Sequence, residues 1–529
     1  MTTDGATTGS GPDNNPGEGD RSAPPPARLA VTRRRLLAGA AGGVVALGLA
    51  GLVGYKWPRP AANAVSSPGT DAGPPSTLQG FVTRPDLLPP LVRVTSYSSD
   101  AYALPPYIFL APRNYDAHAP GQAGLMILDR SGRLVWFKPI TAQAPFDFNA
   151  QSYGDRSVLT WWQGEVVVDY GVGTGEIANS SYGFQQSVDA GDGLHADLHE
   201  LNLTSAGTAL VTAYQVVTAD LSSKGGRAKG QLVVGHAQEI DLASGKVLFD
   251  WASTDHIGVD ESYVGAPTSG QYDYFHINSI AEAPDGNLLI SARNTSAVYK
   301  VDRSTGKVLW RLNGKKSDFS MGPGSVFHWQ HDARPLGSGS ISLFDDGSSP
   351  AEERQSRGLV LNVDDRAMRV SLAHAYLHPA GFLAANQGSV QVLADERVFV
   401  GWGNQPYFSE FATDGTLLLD GQMPIGYRSY RALCHDWAGT PTEPPAIAVR
   451  TNPAGGAAVY ASWNGATKVH GWTVLAGKER TSLEVVGSQP WSGFESAIAV
   501  SSAGPYFSVV ATSAAGTELG RSAIAEVAT

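Results

Sequence analysis

A single cysteine, Cys434, stands in a chain of 529 residues, which excludes an internal disulfide and any site built from several cysteines. The fold must hold by burial and sheet hydrogen bonds. Charge is sparse as well: Asp, Glu, Lys and Arg make up 16% of the chain, and the formal net charge is −11. With no cationic excess to neutralise phosphates, a nucleic-acid partner is excluded. The chain has no Gly-x-x-x-x-Gly-Lys-Ser/Thr loop to cradle a nucleotide. The histidine pairs His195/His199, His328/His331 and His374/His378 lack a third ligand at a usual spacing, so no metal is expected, and no cofactor.

What is abundant is turn-forming and apolar. Gly 61, Pro 33 and 42% hydrophobic residues suit an all-β, turn-rich protein, long enough for two or three folded units. Residues 1–31 are rich in Gly, Pro, Ser, Thr and Asp and read as a disordered tail. Thr32-Arg33-Arg34-Arg35 then opens an Ala/Gly/Leu/Val run from Leu36 to Tyr55, so residues 32–64 read as a twin-arginine signal or a membrane anchor. Ala62-Asn63-Ala64 offers a cleavage site, and both outcomes stay open. Either way the remainder lies outside the cytoplasm, secreted or anchored, with the twin-arginine export machinery as a partner and membrane contact confined to this segment. Residues 65–89 read as a Pro/Ser/Gly-rich linker.

Between about Tyr107 and Met423 a unit recurs: a short apolar strand, an Asp, a turn with Gly, and a second apolar strand. Its clearest copies are Ile127-Leu128-Asp129 through Gly132 to Trp136, Ile240-Asp241 through Gly245 to Phe249, and Val301-Asp302 through Gly306 to Trp310. Weaker copies lie at Val168-Asp169-Tyr170, Val363-Asp364-Asp365 and Phe411 to Leu417. One such hairpin cannot bury its apolar face alone, so the copies must pack around an axis. The pattern predicts a six-bladed β-propeller over residues 90–430. From residue 443 to 529, short alternating strands with Gly/Ser turns predict a small C-terminal β-sandwich. The Trp endings of the repeats read as blade packing, and no adjacent cysteine pair supports a quinone-cofactor dehydrogenase.

Inner strands of a propeller face its central channel, where ligands collect. Three segments carry polar groups ahead of a hairpin Gly: Asp197-Leu198-His199-Glu200; His276-Ile277-Asn278-Ser279-Ile280 with Ser291-Ala292-Arg293; and Gln330-His331-Asp332. Each histidine alone reads as a packing residue. Three at equivalent blade positions, with an arginine, read as a site. His195 competes with His199 for the channel, being four residues away on the same strand face. Asp332 and Glu200 read as solvated or supporting groups, and Cys434 as a buried apolar residue whose neighbour His435 points to the opposite face.

These segments resemble the bacterial arylsulfate sulfotransferases, well over residues 190–340 and loosely in the flanking blades. Trp463-Asn464-Gly465-Ala466-Thr467 is similar to a divergent actinobacterial and fungal branch. The resemblance implies an exported, nucleotide-independent enzyme that moves a sulfuryl group from an aryl sulfate ester to a phenolic acceptor through a covalent sulfohistidine. It implies His331 as the residue that takes the group, with His276 and His199 moving protons and Arg293 holding the sulfuryl oxygens. Asn278 and His195 are expected to bind substrate. The alternative is a non-catalytic extracytoplasmic propeller binding a phenolic, glycan or protein ligand. It needs no convergence of His331, His276 and Arg293 on one centre.

Overall fold

The computed structural model describes residues 77–98, 105–115, 120–337, 339–452, 455–502 and 504–527. The expected tail, the residue 32–64 segment and the first part of the linker lie outside these residues. Among the described residues, no helix is long and apolar enough to cross a membrane.

Antiparallel four-stranded groups follow one another along the chain. The first comprises Tyr107–Leu110, Gly124–Asp129 and Leu134–Pro139, completed by Ala432–His435 from the far end of the sequence. Next come Ala144–Tyr153, Arg156–Val167, Tyr170–Ala178 and Phe184–Val188. Ala196–Leu203, Thr208–Ala219, Gly230–Asp241 and Val247–Ala252 continue that sheet through the pairing of Ala196 with Gly173. Two groups follow: Ile277–Glu282, Leu288–Ala292, Ala297–Val301 and Val308–Leu312, then His331–Leu336, Ser340–Asp345, Arg357–Asp364 and Arg369–Leu377. The last holds Ser389–Val392, Val398–Gly401, Tyr407–Phe411 and Leu417–Gln422, with Arg93–Ser96 added at its edge.

The repeat seen in the sequence is the hairpin joining the third and fourth strands of a group. Asp129, Asp241 and Asp302 each accept bonds from the turn they open: Ser131 N at 2.9 Å, Ser244 N at 2.7 Å and Thr305 N at 2.7 Å. The turns close on Gly132, Gly245 and Gly306 at φ of 83°, 69° and 70°, where a β-carbon would be strained. One copy is corrected. Val168-Asp169 joins the second and third strands of its group. The equivalent hairpin is Asn179–Gly183, where Asn179 Oδ1 takes the Asp role by accepting Ser181 N at 3.0 Å. With Asn in place of Asp, this turn does not show the Asp-turn-Gly pattern of the other copies.

Apolar clusters lie between successive groups. Leu289, Val298 and Trp310 pack with Ile341, Leu343 and Leu359 from the next group. Trp136 packs with Trp161 in the same way, so both repeat tryptophans are core residues. The first strands, Ala144–Tyr153, Ala196–Leu203, Ile277–Glu282, His331–Leu336, Ser389–Val392 and Ala432–His435, each contact the next in chain order. Because Ala432–His435 pairs with Tyr107–Leu110, the two ends of the region hold one sheet. That strand runs past the boundary expected at residue 430.

Ala446–Thr451, Ala457–Ser462 and Glu495–Val500 form a three-stranded sheet. Gly471–Glu479, Ser482–Pro490, Tyr506–Thr512, Glu518–Arg521 and Ala525–Glu526 form a second. Val459 and Ile498 of the first share a core with Trp472, Val474, Phe507 and Val509 of the second. Asn464 clamps this region to the first group, accepting Phe137 N and donating to Phe137 O, both at 3.0 Å. The Trp463–Thr467 run is therefore a docking loop here. Residues 77–89 are not a free linker: Thr83 Oγ1 bonds Glu495 at 2.6 Å, Phe81 lies 4.3 Å from Phe494, and Leu87 is buried.

Candidate active site

The first strands carry the polar residues because they are the ones crowded together around the centre. His331 opens its strand, His199 sits within its strand, and His276 immediately precedes Ile277–Glu282. All three are buried and line one cavity of about 400 Å³ with Arg293, Arg113, Arg428 and Tyr430. The His199 and His276 ring centres are 4.9 Å apart, and those of His276 and His331 are 6.3 Å apart.

Each imidazole is oriented by a carboxylate on Nδ1: Asp197 for His199 at 2.5 Å, Asp273 for His276 at 2.6 Å, and Asp346 for His331 at 2.7 Å. This leaves Nε2 of each for the cavity. Asp197 also accepts Gly171 N at 2.5 Å and Thr212 Oγ1 at 3.0 Å. Burial alone would raise its carboxyl, but the His199 charge and these bonds outweigh burial and hold it below the usual range. Asp197 and Asp273 stand two and three residues before their histidines, a short spacing that could have marked them, although neither was given a role from the sequence. Asp346 immediately follows the next strand, Ser340–Asp345, and nothing in the spacing marked it.

His331 is buried more deeply than the other two, at 1% exposed. Burial pulls its imidazole well below 6.5, and the charges of Arg293, His276 and His199 add to the effect. Burial likewise pushes Asp346 well above the usual carboxylate range. Both shifts oppose an imidazolium–carboxylate ion pair. Gln387 N–H donates to His331 Nε2 at 3.3 Å, so Nε2 carries the lone pair and Nδ1 the proton. His276, Trp329, Asp332 and Gln387 all have left-handed backbones, with φ of 55°, 62°, 56° and 70°. Such strain at non-glycine residues persists where the surroundings over-determine the geometry.

Arg293 follows Leu288–Ala292 and is stacked 5.1 Å from the Trp329 ring. Its Nη1 donates to Asn294 Oδ1 and its Nη2 to Ala385 O, both at 3.0 Å, while Nε is buried without a partner. Burial pulls its guanidinium below the usual arginine range, against the pull of Asp346, Asp169 and Asp273. It is a guanidinium fork held at the cavity wall.

Two expected substrate-binding residues lie elsewhere. His195 precedes the strand and its side chain is 61% exposed, bonded to Asp189 at 3.1 Å. The ladder is irregular between Ala196 and Leu201, which breaks the alternation that would have put His195 and His199 on one face. Asn278 is fully buried and donates to Gln330 O at 2.7 Å, joining two first strands. His199, His276 and His331 each offer one nitrogen within 4.8 Å of the others, a three-histidine donor set that no sequence spacing displayed.

Glu200 and Asp332 are not solvated. With Asp147, Arg334 and Arg431 they form a buried ion network. Burial raises Asp147 to about 6 despite Arg431 beside it. Glu200, Asp332, Arg334 and Arg431 line a separate cavity of about 270 Å³ with His435, sharing no residue with the first. Burial lowers His435 to about 4. A neutral histidine in the fold contributes stability that is present above pH 6.5 and lost as pH falls toward 4, worth about 3 kcal/mol for that shift. His435→Asn should therefore lose about 3 kcal/mol less than the parent between pH 7 and pH 4 in urea unfolding. Equal losses would mean that His435 is not held neutral.

A profile of the arylsulfotransferase (ASST) family matches residues 149–423, just over half of the chain. The chain belongs to the arylsulfotransferase family. The matched span contains all three histidines and Arg293. The family suggests aryl sulfotransferase activity and supports a sulfotransferase enzyme. No curated protein matches the chain. Among solved structures, a Bacteroides caccae protein of unknown function overlaps with a TM-score of 0.38 at 11% identity, over 62% of this chain and 98% of that one. A Lactobacillus plantarum protein gives 0.34 at 14%, over 74% and 99%. Virginiamycin B lyase from Staphylococcus aureus gives 0.32 at 6%, over 64% and 98%. Overlaps this loose say nothing about what the arylsulfotransferase cavity does.

Proposed function

We propose that this arylsulfotransferase transfers a sulfuryl group from an aryl sulfate to a phenol through a covalent intermediate on His331. The observation that carries the reading is the state of His331. It is neutral, with its proton on Nδ1 against Asp346 and its Nε2 lone pair in the same cavity as Arg293. A neutral imidazole is a competent nucleophile. Its Nε2 attacks sulfur, the N–S bond forms as the aryl O–S bond breaks, and the phenolate takes a proton from His276 or His199. In the second half, the acceptor phenol gives its proton to that imidazole and its oxygen attacks sulfur. The N–S bond then breaks, and neutral His331 is restored.

Arg293 suits the negative charge that develops on the sulfuryl oxygens, by analogy with loose phosphoryl transfer. A phenol, with a pKa of about 10, is a far better leaving group than an alkyl alcohol, which favours aryl esters as donors. The grouping of His331, His276 and Arg293 around one cavity supports the enzyme over the binding propeller weighed from the sequence. We read the four-stranded groups as six blades, closed by Ala432–His435 against Tyr107–Leu110, and the two C-terminal sheets as a sandwich. Export by the residue 32–64 segment fits the use of an aryl ester in place of a nucleotide donor.

The test is to incubate the full chain with an aryl sulfate and no acceptor, then map adducts by mass spectrometry. We expect one sulfuryl group on His331, discharged when a phenol is added. Phenol release with no adduct on any histidine would overturn the covalent route.

A further inference from the structure

The cavity that Arg293 lines holds two more arginines. Arg113 and Arg428 are Cα partners in a short antiparallel pair, Arg113–Asn114 with Tyr427–Arg428. Arg428 lies 3.7 Å from the centre of the Tyr115 ring, and Arg113 lies 4.2 Å from that of Phe146. Among the described residues neither guanidinium has an ion-pair partner within 4 Å or a side-chain hydrogen bond, and Arg113 Nη1 is buried without a partner. The carboxylates near the histidines are already engaged with Nδ1 atoms, and Asp169 is the acid that lines the cavity itself. Two like charges brought together and left unpaired repel each other and destabilise the fold unless an anion joins them. Stacking pins the guanidinium planes and leaves their N–H edges as donors.

The pair is close to the reacting centre. Phe146 packs on Tyr430 at 5.7 Å, and Tyr430 packs on His199 at 5.7 Å. On the other side Tyr115 accepts Gln387 Nε2 at 3.2 Å, and the backbone of the same Gln387 reaches His331 Nε2. Arg293 already serves a single sulfuryl group, so a plain phenyl sulfate would leave Arg113 and Arg428 with no anion to bind.

We propose that Arg113 and Arg428 bind a second anionic group on the aryl ring, so that the substrates of this site are acidic phenols such as hydroxybenzoates rather than neutral ones. The inference rests on the sulfuryl-transfer reading for the reaction but not for the binding. Tyr115, Phe146 and Tyr430 supply the aromatic wall between the arginine pair and the histidines. A cavity of about 400 Å³ takes a compound of one or two rings.

The test measures binding without any sulfate donor, by calorimetry on the full chain, comparing 4-hydroxybenzoate with 4-hydroxybenzamide. The acid should bind at least about tenfold tighter, as expected for a charge-assisted pair. Added salt should shrink that advantage. Arg428→Gln should abolish it, while Arg428→Lys keeps part of it. Arg113→Gln provides a second reading if Arg428→Gln does not fold. Equal affinities for acid and amide, or an advantage untouched in both glutamine variants, would overturn the proposal. Tight binding of the acid in a protein that transfers no sulfuryl group would leave the anion site standing and remove the reaction.

Discussion

His331→Asn should lower kcat/KM for aryl sulfate by at least about 10³-fold, the scale seen when a covalent nucleophile is removed. The thermal unfolding midpoint should change little, since an amide of similar size fills the space. Asp346→Asn is the more telling variant. It keeps the shape but replaces one acceptor oxygen with an NH2 donor, which can turn toward Nδ1 and favour the tautomer protonated on Nε2, at a cost of about 10²- to 10⁴-fold. The pH profile separates a nucleophile from a merely structural histidine. Burial and the neighbouring cations pull His331 well below 6.5, so the acid limb it causes should fall below that pH. A limb at or above 6.5, unchanged in Asp346→Asn, would count against His331 as the attacking group.

Arg431→Met should destabilise the protein by about 3–5 kcal/mol, because it strips the shared cation from three buried carboxylates. Arg431 meets Asp147 at 2.5 Å, Glu200 at 3.2 Å and Asp332 at 3.1 Å, with its side chain 2% exposed. The loss should shrink as pH falls, since protonating the abandoned carboxylates relieves it. Asp147, already raised to about 6, is the first expected to respond. In the parent its contribution is fully present below about pH 4 and is lost as pH rises through 6. The check is urea unfolding of parent and variant at pH 5 and pH 7.5. A variant penalty that is equal at both would mean that the network tolerates the missing charge. His331 and Arg431 also separate two kinds of loss, activity with the fold retained and the fold itself.

The resemblance and the structure meet at the histidines. His199, His276 and His331 were legible because each sits on or beside the first strand of a group, and alternation with a following hairpin Gly marks such strands. Arg293 was legible through the same hairpin. His195 was misjudged because strict alternation fails where the ladder is irregular. Asn278 was misjudged because its segment carries two jobs, one in the cavity and one between strands. The lining by Arg113, Tyr115 and Arg428 had no local signal at all, since the two segments that pair there, Arg113–Asn114 and Tyr427–Arg428, stand at opposite ends of the run of four-stranded groups.

By itself, the sequence determined the local and repeated features of this protein. Asp–Gly turns set the hairpins, two-residue alternation set which faces are buried, and a single cysteine removed any site built from several thiolates. These follow from physics acting within about a dozen residues. Tertiary structure alone decided everything that depends on distant segments meeting. It put Asp346 behind His331 and the Gln387 N–H on its Nε2, set three imidazole nitrogens within 4.8 Å, and brought two arginines from distant segments into the cavity that Arg293 lines. The physical reason is that pKa shifts, tautomers and anion sites are set by burial and through-space charge, and neither is written in the order of residues along a chain.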